Sequence, residues 1–438
     1  MKKTITFGVL SFYSFTSLAG GFEVNNLWSA RYSAVGGAAV SNVEGAQALY
    51  FNPAGLSKSK SIEVDFNMDL GFAQKSAPLK NNGVSATTGD GVAHTPTTLT
   101  PIIGIFGSKQ VNKRLGVGTG LYLAGGSGGL YKDVNFGSQF PELRPDIESK
   151  IFLLEFGAGA GYELMPGLSV GGAWRPTYLS LSNKFAAPID ANNDLNPEAL
   201  LVPELKNLSD LILGGFRIGA QYLPQDSKWG FGVGFRSENN FNAKGKSKGK
   251  FELANNNNVS SIQGGDVRAH AKIPMQVNLG VHYDFKSTWR GMFQYDYTRN
   301  ERVKALTLSG DDLVATGVGN IPISTFSAPL GWQNQHTFRY GTQWKANEIW
   351  TLRAGYVHAS QVVKKNRTSP VGIPPAPERS IIAGAGRQIK LFKQDMQFDF
   401  ALEHVTSRGT GRHSKAGSLD GTYTLESTQV YFALSYRY

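Results

Sequence analysis

The sequence predicts an all-β chain: a fourteen-stranded antiparallel transmembrane β-barrel with an N-terminal plug in its lumen. Three observations lead there. Short segments in which apolar and polar residues alternate recur along the chain. The gaps between them alternate long and short. No apolar run of about 20 residues follows residue 20, which excludes a bundle of membrane-spanning helices. Composition agrees. The 438 residues include 52 glycines and 11% aromatics but only 18% charged residues. Such a mixture suits strands joined by loops and is too aromatic for a disordered chain.

The chain begins with an address. Met1-Lys2-Lys3 is basic, Ile5 to Phe15 is apolar, and Ser17-Leu18-Ala19 ends in small residues. Residues 1–19 therefore read as a secretory signal peptide, cleaved after Ala19. Gly20 to Ser61 does not alternate and is crowded with small residues, among them Ala34, Gly36, Gly37, Ala38, Ala39, Gly45, Ala46 and Ala48. Small residues let backbone pack tightly inside a lumen, so residues 20–61 are expected to form the plug. Ser41 and Glu44 make an S-x-x-E capping box, which predicts a short helix running to about Phe51. Asn52-Pro53 should stop it.

The barrel should occupy residues 62–438. In 61–74, Ile62, Val64, Phe66, Met68, Leu70 and Phe72 alternate with Glu63, Asp65, Asn67 and Asp69. One face is oily and the other wet, over the length of a tilted spanning strand. Ile273 to Phe285, Trp289 to Tyr297 and Met396 to Leu402 repeat the pattern. Weaker copies lie near 99–109, 113–124, 150–163, 167–183, 212–223, 228–244, 334–345, 347–360 and 378–391, and the last runs from about 423 to Tyr438. Val430, Phe432, Leu434, Tyr436 and Tyr438 share one parity and should face lipid. Long gaps fall near 75–98, 125–149, 184–211, 245–267, 307–333, 361–377 and 408–422. Short ones fall near 110–112, 164–166, 224–227, 286–287, Ala346 and 392–393. Long outside loops with short periplasmic turns mark an outer-membrane barrel.

Charges of both signs take the parity opposite the oily residues. They are Arg217, Arg236, Arg290, Arg339 and Arg353, with Glu63, Asp65, Asp69, Asp296, Asp399 and Glu403. Facing lipid, each would cost about 2–4 kcal/mol at mid-depth, so they should line the lumen as a cross-strand network. One or two of the arginines are candidates to meet a ligand carboxylate. In the 184–211 loop, Asn196-Pro197 reads as a helix start, with Leu200, Leu201, Leu205, Leu208 and Leu211 on one oily side. Lys244, Lys246, Lys248 and Lys250 alternate at the start of another outside loop, a solvated face or a contact for outer-leaflet phosphate.

Other chemistry is unmarked. With zero cysteines there is no disulfide, thiolate metal site or cysteine nucleophile. The seven histidines show no metal-ligand spacing, and no glycine loop precedes a helix to hold phosphate. The net charge of +11 is spread out, so nucleic acid is not expected as a partner.

Particular strings resemble a known family. GGFEVNN, then RYSAVGGAAV (31–40), then YFNPAGLSKS resemble the N-terminal plug of the FadL family, outer-membrane transporters of long-chain fatty acids and related hydrophobic compounds. WGFGVGFRSENNFNAKG (229–245), KIPMQVNLGVHYDF (272–285), TLRAGYVHAS (351–360) and PPAPERSIIAGAGRQI (374–389) are similar too. The resemblance implies passive uptake through a hatch-plugged barrel, with sideways exit at a kink in the third strand. It implies that Phe22 touches bound ligand and that Asn52, Pro53 and Ala54 form the hatch motif facing that kink. The glycines at 116, 118, 120, 125 and 126 suit a kinked strand. The implied partners are a long-chain fatty acid or other hydrophobic small molecule and the surrounding outer-membrane lipid. The chain is expected to be a monomer without cofactor, metal or catalytic residues. The alternatives are an aromatic-hydrocarbon channel of the same family and, further off, a barrel hydrolase or a surface adhesin.

Overall fold

Fourteen antiparallel strands follow one another around a closed ring. The computed structural model describes residues 28–81, 84–85, 92–189, 198–256, 258–263, 265–310, 314–315, 321–322, 325–391, 394–412 and 420–438. Residues 1–19, the expected signal peptide, and Phe22 lie outside these residues.

The strands are β1 (Ile62–Ala77), β2 (Thr98–Gln110), β3 (Leu115–Tyr131) and β4 (Ile147–Met165). Next come β5 (Leu168–Trp174 and Thr177–Lys184), β6 (Ala199–Ile212 and Phe216–Tyr222) and β7 (Trp229–Arg236 and Asn239–Leu253). Then follow β8 (Asp266–Ile273 and Gln276–Lys286), β9 (Trp289–Thr298 and Ala305–Gly310) and β10 (Thr325–Pro329 and Gln335–Lys345). The ring ends with β11 (Trp350–Ala359), β12 (Glu378–Leu391), β13 (Gln394–Gly411) and β14 (Gly421–Arg437). β14 closes on β1 from Glu63↔Arg437 to Ser76↔Thr424.

The period-two pattern sets the two faces. In β1, Ile62, Val64 and Phe66 are exposed while Glu63, Asp65, Asn67 and Asp69 are buried. In β14, Tyr431, Ala433 and Ser435 are buried, and the parity of Val430, Phe432 and Leu434 points outward. The short turns between β2 and β3, β4 and β5, and so on define the periplasmic end, called the lower end below.

Two local expectations are corrected. The leucines of 199–211 lie on strand β6, not on a helix. Leu205 and Leu208 are both buried although three residues apart, a spacing that imitates helical periodicity. A bulge between them supplies the extra residue, with Asn207 at φ +49°. Asn196 and Pro197, the expected helix start, lie outside the described residues. Much of the long gap at 245–267 is likewise ladder, because β7 continues to Leu253 and β8 begins at Asp266. Above the lipid no face must be oily, so alternation fades while pairing persists.

Within the ring, Trp28 to Ser59 forms a packed segment. Helix α1 (Ala30–Ser33) is capped by Ser29, whose hydroxyl accepts the Tyr32 N–H at 3.1 Å. Helix α2 (Ala48–Phe51) starts six residues later than the Ser41 capping box predicts. Gly45 intervenes at φ +72°, a left-handed turn that breaks any helix from Ser41. Ser41 bonds the His282 ring instead, at 3.1 Å. Asn52 is extended and ends α2, and a 3-10 turn covers Pro53–Lys58.

Candidate ligand pathway and gate

The inner segment touches the ring nearly all the way round. Gly104, Gly116, Gly161, Gly171, Gly219, Gly232, Gly280, Gly341, Gly355 and Gly384, one from each of ten strands, face it. A Cβ on any of them would come within 1.8–2.7 Å of Trp28, Ala34, Val35, Gly36, Val40, Asn52, Pro53 or Leu56. This belt of absent side chains is the seat into which the segment fits. Polar groups pin it between the glycines. Glu63 accepts the Ala46 N–H at 3.0 Å, and Gln294 accepts those of Ala39 and Val40 at 3.0 and 2.9 Å. Arg31 reaches Asp399 at 3.2 Å.

Asn52 is the tightest anchor. It is fully buried, and its side-chain amide donates to the carbonyls of Val40 and Ala220 at 2.7 and 3.0 Å. Its side-chain oxygen Oδ1 accepts the Ala54 N–H at 3.2 Å. Pro53 and Ala54 lie against Gly161 and Gly171 of β4 and β5.

The expected inward charges pair across strands. Arg339 meets Asp296 at 2.5 Å, Arg353 meets Asp399 at 2.6 Å and Arg290 meets Asp284 at 2.6 Å. Arg236 donates to the Pro274 carbonyl at 3.0 Å. Arg217 meets Glu155 at 3.3 Å, and Arg175 binds the same carboxylate. Glu155 and Arg175 were not singled out in the sequence. Glu155 shares parity with Ile151 and Leu153, and in this strand that oily parity points inward. Arg217 also lies over the ring of Tyr50, 4.3 Å from its centroid.

That inversion changes the character of the lumen with height. In the lower half the inward residues are glycines and charges. In the upper half they become apolar: Ile151 and Leu153 of β4, Leu179 and Leu181 of β5, Leu205 and Leu208 of β6, Phe241 of β7, Val267 of β8 and Leu306 of β9. They form one continuous cluster that also contains Trp28, Leu49, Phe106 and Tyr122. An oily column thus descends from the outer end to the inner segment, and the Glu155–Arg175–Arg217 group sits at its foot.

The column ends beside a break in the wall. β3 pairs with β2 only from Gly104↔Tyr122 to Gln110↔Gly116. Above that point, among the described residues, β3 pairs with β4 alone. Ala124 is an extra residue, with Leu123 opposite Leu154 and Gly125 opposite Leu153. A bulge bends its strand and ends local pairing. Trp28 covers the place. Its Nε1 donates to the Leu123 carbonyl at 3.1 Å, and its fully buried ring packs on Phe106, Tyr50, Tyr122 and Phe51 at centroid distances of 4.5–6.0 Å.

A barrel with this inner segment and this wall has relatives. The family model described as outer membrane protein transport protein (OMPP1/FadL/TodX) matches residues 10–438. The chain belongs to this family. The FadL-type proteins are outer-membrane transporters of hydrophobic compounds, and this chain is one of them. The crystal structure of a Pseudomonas aeruginosa FadL homologue is similar at 15% identity and a TM-score of 0.78, over 95% of this chain and 99% of that one. The P. putida toluene transporter TodX is similar at 16% identity and 0.75, over 95% and 99%. The Ralstonia pickettii toluene transporter TbuX is similar at 16% identity and 0.70, over 94% and 99%. At such identities these structures speak for the fold. No curated protein sequence matches the chain.

Proposed function

We propose that this FadL-family chain takes up long-chain fatty acids passively, through the oily column and sideways out of the barrel between β2 and β3. Residues 1–19 are its signal peptide, 20–61 its hatch and 62–438 its barrel. The observation that carries the reading is the stretch of β3 above Tyr122 that leaves β2, beside an apolar column, with Trp28 of the hatch bonded where it departs, at Leu123. A tail-bearing substrate needs apolar walls and a few polar groups. Two guanidinium groups on the one carboxylate of Glu155 favour a carboxylate-headed substrate at that level. Phe22 meets the ligand near the hatch N-terminus, while Asn52, Pro53 and Ala54 hold the hatch in its glycine seat.

One observation favours a second substrate class. Trp28, Tyr50, Phe51, Phe106 and Tyr122 make a cluster of five rings, which suits an aromatic hydrocarbon. Competition separates the two. Uptake of labelled oleate would be measured in cells lacking their own transporter, with excess toluene or excess unlabelled oleate. Inhibition by oleate alone supports the fatty-acid reading; inhibition by toluene alone, with toluene uptake itself saturable, replaces it.

A further inference from the structure

The outward face of the upper β6–β8 ladder carries a basic strip that the transport path does not use. In β7, Lys244, Lys246, Lys248 and Lys250 are exposed, while Ser247 between them and Ala243 and Phe251 on either side are buried. Register then sets like charges side by side. Lys244 lies directly opposite Arg268 of β8, and Lys246 lies opposite Lys206 of β6 on one side and Asp266 of β8 on the other. Like charges facing across a ladder destabilise it. Glu204 binds Lys206 at 3.1 Å and Lys248 at 3.6 Å. Lys244, Lys246, Lys250 and Arg268 make no ion pair among the described residues.

The height of the strip limits what can neutralise it. Tyr178 and Leu211 pair across β5 and β6 and are both exposed, so they belong to the lipid-facing belt. The next outward row is Ser180, Ser209, Lys244 and Arg268, two residues or about 7 Å further along the strands. The strip therefore begins where the apolar surface ends, at the depth of lipid head groups. A solvated lysine face would have no reason to align cations in opposed pairs at that depth.

We propose that this strip binds the phosphorylated head group of an outer-leaflet glycolipid, whose acyl chains lie along the apolar belt below. A phosphate monoester carries close to two charges and three acceptor oxygens, enough to sit between opposed cations from neighbouring strands. The bound lipid would hold the extended β6–β8 wall beside the mouth of the column.

The test uses the full-length purified protein in detergent, titrated with bisphosphorylated lipid A and with the same lipid after phosphate removal. Binding would be read by native mass spectrometry. The variant Lys206→Gln/Lys244→Gln/Lys246→Gln should bind lipid A roughly a hundredfold more weakly, at about fivefold per charge near a membrane surface. The corresponding lysine-to-arginine triple should bind like the unaltered protein. Lys364→Gln/Lys365→Gln/Arg367→Gln, exposed residues away from the strip, should also leave binding unchanged. Heat-modifiable migration on gels would confirm that each variant is folded. Equal affinity for the dephosphorylated lipid would overturn the proposal. So would a glutamine triple that binds normally, or one that loses no more than the remote control.

Discussion

Replacing Trp28 with alanine removes the only hatch side chain that bonds to the bulged strand among the described contacts. The ring is fully buried and contacts four other aromatic rings. Truncating a buried aromatic to alanine costs about 3–5 kcal/mol, cavity included. Trp28 belongs to the hatch, so the loss falls on hatch docking rather than on the strand ladder. At 1.4 kcal/mol per decade, the docked-to-released ratio should fall by roughly a hundredfold to a few thousandfold. Glu63, Gln294 and Asn52 still hold the rest of the segment, so the barrel should remain assembled. In planar bilayers the variant should show conducting openings that the unaltered protein lacks, and cells with matched surface protein should admit hydrophobic solutes faster. Trp28→Phe, which keeps most of the ring packing and loses the hydrogen bond to Leu123, should fall between. If Trp28→Ala conducts and transports like the unaltered protein, the idea that this residue closes the wall is wrong.

Two further outcomes concern the hatch. Asn52→Ala loses hydrogen bonds to Val40, Ala220 and Ala54, worth about 1 kcal/mol each. It should raise basal leak with no change in heat-modifiable barrel folding. Asn52→Asp points a buried charge at carbonyl oxygens and should leak more. Lys58, whose ammonium donates to Gln221 at 2.8 Å, is held down to about 8 by burial, helped by Arg290 and opposed by Glu44 and Glu163. A released hatch would return it to about 10.4. Between those values the released state binds more protons, so docking strengthens as pH rises from about 8 to 10.4 and is insensitive to this group below 8. Leak should fall over that window, and Lys58→Met should flatten the profile.

The strand count was legible in the sequence because lipid enforces it: outward residues must be apolar along every spanning stretch, as Ile62, Val64 and Phe66 are. The lumen enforces nothing so simple. Its lower half is read as polar and its upper half as apolar only after the ring closes, which is why Glu155 and Arg175 escaped notice beside Leu153 and Trp174. The β6 leucines imitated a helix because one bulged residue turned a spacing of two into three. Gly161, Gly171 and Gly219 looked like ordinary strand glycines, since the segment that needs their space is more than a hundred residues away in sequence. Trp28 gave no signal of its own, standing in a segment without periodicity. The motif Asn52-Pro53-Ala54 was visible, yet its described partners are β4 to β7, and the bulge it was expected to face is covered by Trp28.

Deleting Ala124 tests the lateral route most directly. The deletion removes the one extra residue of β3 and brings Leu123 and Gly125 into continuous register with Leu154 and Leu153. The strand should then straighten and pair with β2 above Tyr122, closing the wall while leaving the column, the hatch and its anchors in place. Uptake of labelled oleate, in cells matched for folded surface protein, should drop to the level of cells without the protein, while oleate binding to the purified variant persists. Uptake at the unaltered rate in that variant would contradict sideways exit at β3 and leave the hatch path as the only way through.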